Sequence, residues 1–122
     1  MLTLYWAISG KTWGGFQLYD YNNKISRYKA LEVFTSGSAW FSNEETVKGF
    51  IKEGMYADFA ILSDDYFTMP EEAIKNLTSH LTVVNGKVVY AANDFKTFDP
   101  AIPEVIPSWS PVKYFGGYQN NK

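Results

Sequence analysis

A chain of 122 residues has room for one domain with a modest core and excludes two large ones. With 46% hydrophobic residues it folds rather than staying disordered, and its 11 basic and 13 acidic side chains form no Lys/Arg cluster that would neutralise nucleic-acid phosphates. Cysteine is absent, which excludes disulfides, thiolate catalysis and Cys-based zinc sites together and fits a cytoplasmic protein.

Aromatic residues are dense at 18%, with nine Tyr, nine Phe and four Trp. So small a domain cannot hide them all, and some are expected to face a partner. The opening "MLTLYWAISGK" has no positive leader and no transmembrane length, so neither a signal peptide nor a membrane span is read there.

In chain order, Leu2 to Ile8 suits a short helix stopped by Gly10 and the Gly14-Gly15 pair. Asn22-Asn23 mark the tip of a turn-rich segment. Ser26 is a natural N-cap for a second helix from Arg27 to about Thr35, with Ala30, Leu31 and Phe34 at helical spacing. Gly37 is expected to interrupt that helix, and "SAWFSNEE" to add a turn. Ser42 and Glu45 stand at capping-box spacing.

From Gly49 the pattern changes to β. Gly54 marks a turn, and Ala57 to Leu62 reads as a buried strand. In "MPEEAIKNL", Pro70 lies near a helix start and Glu71-Glu72 complement the helix dipole. "LTVVNGKVVY" places two β-branched runs around Asn85-Gly86, the signature of a hairpin with a type I′ turn. After Ala92 four of the five prolines occur, Pro100, Pro103, Pro107 and Pro111. That stretch is expected to be extended and to lie over a surface through Trp109, Tyr114 and Phe115. The organisation is thus α+β: a helical segment over 1–48, a β-segment with a small sheet or hairpin over 49–92, and an extended Pro/aromatic tail over 93–122, together one compact unit.

Candidate chemistry is sparse. "GFIKEGMYADFAILSDD" carries Asp58, Asp64 and Asp65 around an apolar run, which raises the question of a metal or acid–base site. A hydrolytic metal site needs several convergent His and carboxylate ligands, and the chain has one histidine, His80. Asp64 and Asp65 follow the strand where Asp commonly accepts nearby backbone N–H groups, and Asp58 is expected to do the same toward the Gly54 turn. No G-x-S-x-G elbow surrounds a serine, and Gly14-Gly15 and Gly116-Gly117 lack the spacing of a phosphate cradle. No catalytic, cofactor-binding or metal residue is therefore assigned. The Trp and Tyr residues could line a small-molecule pocket, but core and interface packing is their commoner use.

These residues resemble one family. "GFIKEGMYADFAILSDD" is similar to the G-x-I-x-x-G-x-x-A-D signature, followed by an apolar run, near the C-terminus of the metal-dependent amidohydrolases. "LTVVNGKVVY" resembles the hairpin that follows there, and "RYKALEVFTSGSAW" the preceding helix through Ala30, Leu31, Thr35 and Ala39. "PSWSPVKYFGGY" suggests the branch called amidohydrolase family 3, or YtcJ-like. Phe50 and Met55 depart from the pattern, both in a surface-type turn.

The resemblance implies that "GFIKEGMYADFAILSDD" belongs to a small β-structure beside the catalytic barrel. It also implies that the divalent, zinc-type metal of the parent enzyme is held by histidines and an Asp with no counterpart here. "MLTLYWAISGKTWGG" looks like the helix after the last barrel strand. A (β/α)₈ barrel takes about 250 residues, so none is complete in this length. Two expectations follow. The chain is the non-catalytic C-terminal part of a hydrolase acting on C–N bonds other than peptide bonds, inactive by itself. Alternatively it is a stand-alone β-rich binding or oligomerisation module. Either way, strand edges and aromatics left uncovered predict self-association.

Overall fold

Leu2–Ser9 form helix α1, in which Leu4, Tyr5 and Ile8 lie on one buried face as the apolar spacing expects. Ser9 is also fully buried, and its hydroxyl donates to the Tyr5 carbonyl at 2.7 Å and accepts the Lys11 N–H at 3.1 Å. Gly10 caps the helix by donating to the Trp6 carbonyl at 2.9 Å. The computed structural model describes residues 1–101. The expected contacts of Trp109, Tyr114 and Phe115 lie outside that range.

The second helix starts where Ser26 predicts, its hydroxyl accepting the Lys29 N–H at 3.2 Å. It does not stop at Gly37. Helix α2 (Arg27–Glu32) passes through a π-helical turn, Val33–Gly37, directly into α3 (Ser38–Phe41). Gly37 keeps helical angles, φ −64° and ψ −41°. Thr35 and Ser36 donate their hydroxyls to the carbonyls of Leu31 and Glu32 four residues back, and Ser38 reaches Val33 five residues back. One glycine in a helix costs only about 1 kcal/mol relative to alanine, so a single one does not break the run.

The expected Ser42–Glu45 capping box is not formed. Ser42 instead closes α3, donating its hydroxyl to the carbonyls of Ser38 and Ala39. Beyond it the chain returns against the helix at Gly49, where φ is +104°. A Cβ there would lie 2.9 Å from the Ala39 Cβ and 3.0 Å from the Ser36 Cα. Only glycine lets the backbone pass this close, which explains the first glycine of the "GFIKEG" stretch.

The sheet is antiparallel, three-stranded and open, in the order β1 (Phe59–Leu62), β2 (Ser79–Val84), β3 (Lys87–Ala91). The β1 strand starts at Phe59 rather than Ala57, because the two preceding residues are engaged by the hairpin tip. Asn85 and Gly86 have φ of +49° and +72°, the two positive values a type I′ turn requires. Phe59 stands opposite Val83, which stands opposite Val88, and Phe95 covers this row from the 3₁₀ turn Asn93–Phe98. The region after Ala92 therefore opens with a helical turn.

Between β1 and β2 the chain crosses to the helices and back. Tyr66 and Met69 enter the main core, and "EEAIKN" forms a 3₁₀ helix, Glu71–Asn76, that packs on α1. Ile74 of this turn is fully buried against Tyr5 and Leu77. Cutting it to alanine removes packing from both elements at once. Ile74→Ala is expected to lower unfolding free energy by about 2–5 kcal/mol, while Val89→Ala on the half-exposed hairpin costs roughly 0.5 kcal/mol; urea titration of the two variants checks the contrast.

Candidate functional site

The three aspartates do not converge. Asp65 accepts the Phe67 N–H at 2.9 Å on one oxygen and the Thr68 hydroxyl at 2.8 Å on the other, forming the local turn expected of it. Those bonds hold its carboxyl below the usual range. Asp64 accepts the neighbouring Asp65 N–H at 2.7 Å. Asp58 does not serve the Gly54 turn. It accepts the Asn85 N–H at 2.6 Å, across 27 residues of sequence, while the Ala57 carbonyl accepts the Gly86 N–H at 3.1 Å. Together these bonds pin the hairpin tip to the entrance of β1.

His80 lies within β2, and its carbonyl accepts the Ala92 N–H at 2.8 Å. Among the described residues no group of three or more His, Cys, Asp or Glu could hold a metal ion. The three aspartates also face backbone amides rather than one another, so this donor set does not fit a divalent metal.

The strongest electrostatic cluster was not legible in the sequence. Glu72 accepts the Lys11 ammonium at 2.7 Å on one oxygen, and on the other the Tyr5 hydroxyl at 2.9 Å and Lys75 at 3.3 Å. Lys75 also lies over the Tyr5 and Trp13 rings, 5.5 and 5.6 Å from their centres. The hydrogen bonds from Lys11 and Tyr5 lower the Glu72 carboxyl from 4.5 to about 2, and Glu72 raises Lys11. Sequence reasoning placed Glu72 only as a helix-start charge. Lys75 lies three residues on, but Tyr5 and Lys11 lie 67 and 61 residues away, and no local pattern marks those two. The cluster ties the loop after α1 to the Glu71–Asn76 turn, which is a structural role.

Another feature with capacity for binding is apolar. A cleft of about 670 Å³ runs between the α2–α3 helix and β1, walled by Leu31, Phe34, Phe50, Ile51, Phe59 and Leu62. Phe50 and Ile51 are 56% and 87% exposed on its rim. The cleft adjoins β1, which stands at the edge of the sheet. The two edges differ. Asp99 accepts the Ala91 N–H at 3.0 Å and pairs with Lys96, so part of the β3 end is closed from within the chain. The β1 residues, Phe-Ala-Ile-Leu, include no charge or proline that would discourage pairing.

An α+β unit is the fold that this geometry defines, and among the described residues one sheet edge is open, the apolar cleft is uncovered and no barrel is closed. A family model described as "Amidohydrolase family" matches residues 1–90, and the chain belongs to that family. It is similar to the Bacillus subtilis (strain 168) protein named "Putative amidohydrolase YtcJ", with 36% identity over 72 residues, 59% of this chain and 14% of the relative. The chain thus spans a small part of that curated relative's length. No solved structure matches it.

The Glu72 cluster sets an acid limit. A carboxyl depressed from 4.5 to about 2 stabilises the fold fully above pH 4.5 and loses that contribution as pH falls toward 2. In thermal melts at a series of pH values, the wild-type chain is expected to be more stable than Glu72→Gln near neutrality. The difference should shrink between pH 4.5 and 2. A difference independent of pH would show that the cluster does not stabilise through the charge of Glu72.

Proposed function

We propose that this chain is the C-terminal, non-catalytic part of a metal-dependent amidohydrolase and is inactive by itself. The parent hydrolyses C–N bonds other than peptide bonds in the cytoplasm, with a divalent, zinc-type metal held by residues outside this chain. The observation that carries the reading is a combination: family membership over residues 1–90, and candidate aspartates each already bonded to backbone within the fold. Fold kinship does not transmit activity to a part that lacks the site. The purified chain, supplied with zinc and offered amide and carbamate substrates, is expected to give no turnover above background. Turnover that a chelator abolishes would overturn the proposal.

A second reading is favoured by the uncovered edge and cleft: self-association of the chain into a dimer or higher oligomer. Pairing of β1 with its counterpart would satisfy the edge and cover Phe50 and Ile51. The strand is bracketed by Asp58 and by Asp64-Asp65, so an antiparallel self-pair brings like charges together at both ends. Association is therefore expected to strengthen as salt screens that repulsion. Light scattering across micromolar concentrations at low and high ionic strength tests it, and a monomer throughout would sink this reading.

A further inference from the structure

Asn85 is the one asparagine followed by glycine in the sequence, and it stands exposed at the tip of the β2–β3 hairpin. We propose that Asn85-Gly86 is a site of spontaneous backbone modification, conversion of the asparagine through a succinimide, and that the β1 entrance controls its rate. In this reaction the Gly86 nitrogen loses its proton to water or hydroxide and bonds to Asn85 Cγ. The Cγ–Nδ2 bond breaks and ammonia leaves. Water then opens one or other imide carbonyl, leaving either an aspartate or an isoaspartyl linkage at that position. Nothing is oxidised or reduced, and water is the only co-reactant. Glycine at the second position favours the attack because no Cβ obstructs the nitrogen.

The fold holds back each requirement of this chemistry. The attacking nitrogen donates its N–H to the Ala57 carbonyl at 3.1 Å, so it cannot lose the proton while that bond stands. The Asn85 N–H is held by Asp58 at 2.6 Å, and Val84 pairs with Lys87 directly below the turn. A two-residue turn clamped in this way resists the backbone rotation that closes the imide ring. Conversion then requires local opening of the contact between the hairpin tip and residues 57–58.

The product would work against reclosure. A new carboxylate at position 85 adds negative charge to the residue whose N–H the Asp58 carboxylate holds, and an isoaspartyl linkage adds a backbone carbon to a two-residue turn. The site thus acts as an irreversible record of how often β1 and the hairpin separate.

The test is peptide mass spectrometry of the full chain incubated at mildly alkaline pH, with isoaspartate detected by enzymatic methyl transfer. Wild-type chain under native conditions is expected to convert Asn85 far more slowly than the same chain in denaturant; equal rates would overturn the proposal without need of any variant. Asp58→Ala is expected to speed conversion on the order of tenfold, the factor implied by loss of one hydrogen bond to a charged group. Unchanged hydrogen-exchange protection of the α1 amides in Asp58→Ala separates local opening from global unfolding. Asp58→Asn keeps an oxygen acceptor and should stay within about threefold of wild type. A folded Asp58→Ala chain that converts no faster than wild type would show that Asp58 does not control the site.

Discussion

Tyr5 is the side chain on which the arrangement of the helical half depends. Its ring is fully buried beside Ile74, and its hydroxyl leaves the core only far enough to reach Glu72. One residue therefore joins α1 to the Glu71–Asn76 turn by packing on one side and by a charge-assisted hydrogen bond on the other. Lys11 and Lys75 complete the carboxylate's partners, and the loop after α1 is drawn to the same point. A second tie runs parallel to it. Arg27 donates to the Tyr66 and Phe67 carbonyls, and Tyr66 donates back to the Arg27 carbonyl at 3.0 Å. Burial raises the Tyr66 phenol, which keeps it a protonated donor.

These ties have a consequence for the sheet. The segment between β1 and β2 is committed to the helical core, so β1 is anchored at its C-terminal end to one cluster while Phe59 packs in the other. Asp58 and Ala57 add the hairpin tip as a third anchor. Among the described residues, what is left uncovered is the free side of β1 and the apolar cleft beside it.

Elements governed by near neighbours were readable from the residues. The hairpin follows from Asn85-Gly86 because both turn positions need positive φ, and the start of α2 follows from Ser26 because the cap reaches only three residues. Asp65 bonds within three residues, and its turn was equally plain. The readings that failed are those in which a distant or cumulative influence outweighed the local signal. Gly37 stays helical because one glycine costs too little to end the run, and Ser42 serves the helix before it rather than one after it. Asp58 passes over the nearby turn for a partner 27 residues away.

The sequence by itself determined the α+β organisation, the turn of the hairpin, the family, and the shortage of histidine and cysteine for a metal site. Each of these resides in composition or in bonds a few residues long, where chain connectivity already brings the partners together. The tertiary structure alone decided that Glu72 gathers Tyr5 and Lys11, that Asp58 guards the Asn85-Gly86 turn, and that among the described residues part of the β3 edge is closed while β1 is open. These depend on contacts between segments far apart along the chain. Which distant groups meet is set by how the helices and strands pack, and no short window of sequence contains that information.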